Sequence, residues 1–194
     1  VLVERALAQY PQADAPAVRA QVLQLLRGRF ETILRDAGVR YDIVDAVLAS
    51  PGWEHVARSH HTAQQLMQCL PHDAFRRACT VVERCHNITR DAAFEVSAVD
   101  ATRFVDAREE TVWSAWQRAR TALQQAISGN DVHGAVTVLA GELHTALHCF
   151  FDDVRVNVDD AGLRTNRLRL LRTIRDVIVA EFADLSKIVF EHTP

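Results

Sequence analysis

FFDDVRVNVDDAGLRTNRLRLLRTIRDVIVAEFADLSKI (residues 150–188) opens on the end of one helix, crosses a short acidic connection and continues as a long helix. At about 100° per residue, Leu163, Leu170, Leu171, Ile174, Val177, Ile178 and Leu185 share one broad face, the pattern of an amphipathic helix laid on a core. Five arginines stand between residues 164 and 175, and no acidic residue interrupts them before Asp176. In a chain of formal net charge −3 this is the sharpest local concentration of charge.

The same helical wheel sorts the arginines. Arg169 and Arg172 fall opposite the leucines, where water or a phosphate can reach them. Arg164 and Arg175 border the apolar arc. Arg167 lands near its middle and must be paired, because a half-buried guanidinium is rarely left without a carboxylate. Asp152, Asp153, Asp159 and Asp160 are the nearby acids expected to pair it, and Asn166 is expected to bond the backbone of the 156–159 connection. Arg167, Asn166, Asp152 and Asp153 therefore read as structural. Arg155, Arg164, Arg169, Arg172 and Arg175, with Arg118 and Arg120 on a neighbouring helix, form the basic edge available to a phosphodiester backbone.

Working outward, composition favours helices. Of 194 residues, 48% are hydrophobic, enough for a packed core, and only seven are glycine and five proline. The four cysteines show no C-x-x-C spacing and read as small hydrophobes in a reducing compartment. The longest apolar runs are far too short to span a bilayer, and no basic-then-apolar leader opens the chain, which leads to the expectation of a cytoplasmic protein without membrane contact. The chain begins with Val1 rather than Met, as a piece of a longer polypeptide does.

Helical spacing of Val18, Val22, Leu25, Leu26, Phe30, Ile33 and Leu34 predicts a helix from 17 that stops at Gly38. Residues 2–10 read as the tail of an earlier helix, and Pro11 and Pro16 flank a linker. Further helices are expected over 41–49, 53–70, 71–89, 107–128 and 131–151, with Gly129-Asn130 and Asp131 punctuating the last two. Trp113 and Trp116 repeat with Val112, Ala119 and Leu123 and read as core anchors. The stretch 91–106 lacks periodicity and marks a boundary. The expected architecture is all-α with two helical subdomains, 1–92 and 93–194, the second an up-and-down helical bundle.

Several motifs carry a family resemblance. Phe150-Phe151-Asp152, the V-x-V-N run at Val154, Val156 and Asn157, the L-R-x-N-R-L-x-L-L run from Leu163 to Leu171, and Ala183-Asp184-Leu185-Ser186 together resemble the C-terminal anticodon-binding region of the bacterial glycyl-tRNA synthetase beta subunit. LLRGRFETILRDAGVRYDIVDAVLAS (residues 25–50) resembles the stretch leading into that region. Where the family shows K-R-V-x-N-I, this chain has Glu83, Arg84, Cys85, His86, Asn87 and Ile88, so no RNA contact is carried over from that lysine. The resemblance implies a DALR-type anticodon-binding bundle over 93–194. It further implies binding of the anticodon arm of glycine tRNA, an alpha subunit or alpha portion as partner, and a segment without catalysis of its own. ATP and Mg2+ would serve the parent glycine–tRNA ligase elsewhere, and no cofactor is expected here.

Other chemistry is weaker. His144 and His148 stand four apart beside Glu142, but the His-Glu-x-x-His order of a zinc hydrolase is absent and the pair reads as polar flank residues. His60-His61 diverge by about 100° on a helix, and His72, Cys79, Cys85 and His86 do not share a face. No G-x-S-x-G or phosphate-cradling glycine loop occurs. A helical module that docks a partner subunit without touching RNA is the alternative function.

Overall fold

Asp14 accepts the Ala17 amide and Pro16 stands in the first turn, so helix α1 begins there and runs Ala15–Asp36. The computed structural model describes residues 5, 6, 8, 9, 14–93 and 98–190. The expected helix tail over 2–10 and the linker residue Pro11 therefore lie largely outside the described residues, as does the 94–97 part of the expected boundary. Gly38, at φ +81, ends α1 with its amide on Arg35 and the next amide on Leu34.

Helix α2 (Tyr41–Ala49) follows, then a single 3-10 turn (Pro51–Glu54) and α3 (Val56–Cys69). The interval 53–70, expected as one helix, is thus broken, since Ser50 caps the turn through Gly52 and α3 starts anew at Val56. Helix α4 spans Asp73–Thr89 and α5 spans Ala107–Ser128, the second held at its start by a capping box of Asp106 and Glu109. Asp131 caps α6 (Val132–Val138), and α7 occupies His144–Asp153. Between them a π-helical turn, Leu139–Leu143, interrupts what the sequence presents as one helix, with Gly141 leaving helical angles. Arg77 of α4 donates Nε to the Ala140 carbonyl there, at 3.3 Å. Helix α8, Ala161–Glu181, closes the bundle, followed by a short turn at Leu185–Lys187. No strand occurs among the described residues, and the fold is all-α.

The most strongly amphipathic helix is α4, and it lies at the centre, packed most extensively on α8 and also on α5's partners, the π turn, α6 and α7. Phe75, Val82 and Cys85 of α4, Trp116 of α5, Phe150 of α7, and Leu170, Leu171 and Ile174 of α8 are all buried in one continuous cluster with Ile43 and Leu66 from α2 and α3. Trp116 is 1% exposed, and its truncation to alanine costs about 3–5 kcal/mol by the usual scale for large aromatic cores.

Not every predicted face is covered. Of the α1 pattern only Phe30 and Leu34 are buried, while Leu25 (63%), Leu26 (46%) and Ile33 (55%) face outward. Residues 184–190 form a strap. The Asp184 amide bonds the Ala46 carbonyl, and the Val189 amide bonds Asp42 Oδ2 at 2.8 Å. Phe190 meets Phe75 edge-on at 6.0 Å, beneath the Arg76 guanidinium.

Candidate nucleic-acid interface

Asp160 accepts the Leu163 amide at 2.8 Å and so fixes where α8 starts and which way its arginines point. Arg167 turns inward and is 6% exposed. Its Nε donates to Glu109 Oε1 at 3.0 Å, Nη2 to Oε2 at 3.4 Å, and Nη1 to the Arg155 carbonyl at 2.8 Å. Glu109 is fully buried and also accepts the Val105 and Asp106 amides. One carboxylate therefore caps α5 and anchors α8.

This corrects the expected pairing of Arg167 with Asp152, Asp153, Asp159 or Asp160. The inward face of α8 looks across at the first turn of α5, and those acids lie on the outer side of the connection. Asp153 pairs Arg108 at 2.8 Å, Asp152 meets His148 at 3.1 Å and Arg84 at 3.7 Å, and Asp160 is the helix cap. Asn166 is corrected likewise. It is 1% exposed, and its amide both donates to the Asp100 carbonyl and accepts the Asp100 amide, at 2.9 and 3.0 Å. Its place on the wheel turns it to the Ala101–Arg103 turn instead of the 156–159 connection.

The remaining arginines of the predicted edge separate. Arg155 is exposed beyond α7. Arg164 is half-buried and donates to the Val158 carbonyl at 2.9 Å. Arg169 is half-buried on the outer face of α8. Arg172 and Arg175 are 30% and 23% exposed and share Asp176, at 3.7 and 2.8 Å, the acid that ends the arginine run. Arg118 and Arg120 are both exposed on α5 but stand about 200° apart around it. Arg118 turns to the π turn and pairs Glu142, and that hydrogen bond holds the Glu142 carboxyl below its ordinary range. Arg120 lies one turn before Gln124, which reaches Glu181 of α8 at 3.3 Å. The fold thus brings Arg120 to the α8 side and sends Arg118 away from it.

Two participants were not singled out from the sequence. Glu109 was legible in principle, because Asp106-x-x-Glu109 ahead of Val112 is a capping-box signature. Arg103 comes alongside the start of α8, where a Cβ on Gly162 would stand 3.2 Å from its Nη1. No sequence signal marks that approach. The His144 and His148 rings lie tilted to one another with centroids 6.2 Å apart, and burial first, then the nearby Arg77, keeps the His144 pKa below its usual value. Among the described residues no group of three or more His, Cys, Asp or Glu is gathered for a metal ion. Among them, too, no helix is long and apolar enough to cross a membrane.

A bundle of this architecture, with a basic edge on its last long helix, defines a class that comparison then specifies. The family model described as the DALR anticodon binding domain matches residues 80–185, and the chain belongs to that family. Among similar proteins are the glycine–tRNA ligase beta subunits of Paracoccus denitrificans, 33% identical over 180 residues and covering 89% of this chain, and of Desulforudis audaxviator, 32% identical over 174 residues and covering 90%. That of Myxococcus xanthus is 31% identical over 182 residues, covering 93%. The chain spans about a quarter of the length of these relatives (25% of each).

Proposed function

We propose that this chain holds the anticodon arm of glycine tRNA and so positions the tRNA for ATP-dependent glycylation performed elsewhere in a glycine–tRNA ligase. The observation that carries the proposal is the family match over residues 80–185, which spans α5 to α8 and most of α4. The physics is consistent with it. Anticodon loops are single-stranded and are held by arginine–phosphate pairs, stacking and base-edge hydrogen bonds. Holding one end of a large substrate converts presentation of the other end into an intramolecular event. ATP and Mg2+ would act with the catalytic part, an alpha subunit or alpha portion, in the cytoplasm.

The RNA contacts proposed are Arg155, Arg164, Arg169, Arg172 and Arg175 with Arg120, while Arg118, tied to Glu142 on another flank, contributes at the margin. Alanine at Arg169 or Arg172 is expected to weaken tRNA binding and flatten its salt dependence, by a slope of about 1 per lost phosphate contact, with the melting curve retained. Filter binding at two salt concentrations measures this, and unchanged slopes for both variants take the α8 arginines off the RNA surface. The outward Leu25, Leu26 and Ile33 of α1 support a second reading, docking of a partner subunit without RNA. A module of that kind binds the alpha subunit and leaves tRNA unshifted in a gel.

A further inference from the structure

Helix α7 carries His144 and His148 one turn apart, on a side that packs against α4. With Leu147 between them, and Thr80, Val81 and Arg84 of α4 opposite, they close a cavity of about 10 Å3. That is room for one water molecule or one ion and for nothing organic. The two rings, with centroids 6.2 Å apart, are close enough to share one ion at the usual nitrogen–metal distance of about 2.1 Å.

The surrounding polar groups decide which ion fits. Asp152 Oδ2 lies 3.1 Å from His148 Nδ1. Arg84 Nη1 approaches the same nitrogen at 3.4 Å, and the shorter contact, to a carboxylate, makes Nδ1 the proton-bearing one. His148 Nε2 then keeps the free lone pair, on a ring oriented by a carboxylate as metal-ligating histidines are. Thr80 donates its hydroxyl to the Arg76 carbonyl at 3.0 Å, which leaves its oxygen an acceptor. An anion meets these lone pairs, and the two guanidiniums nearby are already committed. Arg77 donates to the Ala140 carbonyl, and Arg84 sits over the Phe151 ring at 4.9 Å and faces Asp152 at 3.7 Å. Among the described residues no carboxylate lines the cavity, so hard cations such as Mg2+ or Ca2+, which bind through oxygen ligands, find no purchase. A borderline-soft divalent ion that prefers imidazole does.

We propose that His144 and His148 chelate one divalent transition-metal ion of the zinc and nickel class, with Asp152 orienting His148 and water completing the coordination. The site is separate from tRNA binding and does not depend on it. Two protein ligands, fewer than a structural or catalytic zinc takes, make it an exchangeable site that loads and empties with the metal supply. A bridge from His144 to His148 spans the first turn of α7, directly after the π turn at Leu139–Leu143. Bound metal therefore pins the helix where its backbone is least regular.

The test titrates the whole chain with nickel chloride by isothermal calorimetry, with magnesium chloride as the control. Cys149→Ser serves as the parent, because it removes the exposed thiol beside His148. Nickel is expected to bind at a single site and magnesium to give no heat. His144→Ala and His148→Ala should each weaken nickel binding by about tenfold or more, Asp152→Asn by about tenfold, and His60→Ala not at all. At a hundredfold excess over its dissociation constant, nickel should raise the parent's melting temperature by about 5 °C and leave that of His144→Ala in place. No heat from millimolar nickel, equal heat from magnesium, or an affinity unaltered in both histidine variants overturns the site. An affinity unaltered in Asp152→Asn overturns the orienting role given to that carboxylate.

Discussion

Removing the Arg167 guanidinium leaves Glu109, wholly buried, as an uncompensated charge in the core. Breaking one side of such a pair costs about 3–5 kcal/mol. For a domain of this size Arg167→Ala should lower the melting temperature by roughly 10 °C, measured by circular dichroism. Arg167→Leu combined with Glu109→Gln, which removes both charges while an amide oxygen still caps α5, should recover part of the loss. A melt of Arg167→Ala matching the parent would remove the pair from the stability of the fold. The inward direction of Arg167 was legible because the wheel depends only on local spacing. Its partner was not, since Glu109 is 58 residues away and acids close in sequence were the only ones that spacing could offer.

Helix ends show the same divide. Asp106, Gly129 and Asp131 mark the limits of α5 and α6 by local chemistry, and the structure places them there. The π turn at Leu139–Leu143 was hidden, because Val132, Val136, Leu139, Leu143, Leu147 and Phe150 keep helical spacing across it and all are buried. On α1 the spacing of Leu25, Leu26 and Ile33 was equally good, but only the last two turns of that helix reach the core. The tie between α2 and the C-terminal strap gives this scale its prediction. Burial raises the Asp42 pKa, yet hydrogen bonds from Arg40 and the Val189 amide overcome it and hold the carboxyl below the usual 3.8. A carboxyl depressed in the folded state contributes stability above its unfolded pKa and loses it as pH falls through the folded one. Asp42→Asn should therefore cost about 2 kcal/mol at pH 7, the scale of a hydrogen bond to a charged group. The gap to the parent should shrink below pH 4 in urea titrations, and a pH-independent gap would contradict the ionic tie.

For the molecule as a whole, the decisive fact is that α4 precedes the non-periodic stretch and α8 follows it, yet the two pack on one another. Buried side chains from both halves form one cluster, so unfolding should be a single transition. With Trp113 and Trp116 changed to phenylalanine, Trp53 fluorescence in the first half should report the same urea midpoint as far-UV circular dichroism, and separated midpoints would mean independent halves. The all-helical class and family were legible because they rest on composition and contiguous motifs such as the Leu163–Leu171 run. The two-histidine cavity was legible in one wall alone, since His144 and His148 show their spacing in the chain but Arg84 on the facing wall stands 64 residues from His148.

The strap has a mechanical consequence. Load applied through the residues after Phe190 falls first on its edge-on ring contact with Phe75 and on the bonds from Val189 to Asp42 and Arg40, then on the Asp184–Ala46 bond. These attachments meet the force in series, whereas the interlocked leucines of α8 would have to be sheared together. A tether on that side peels a few residues at low tension long before it opens the bundle, so the terminal clasp behaves as a mechanical fuse.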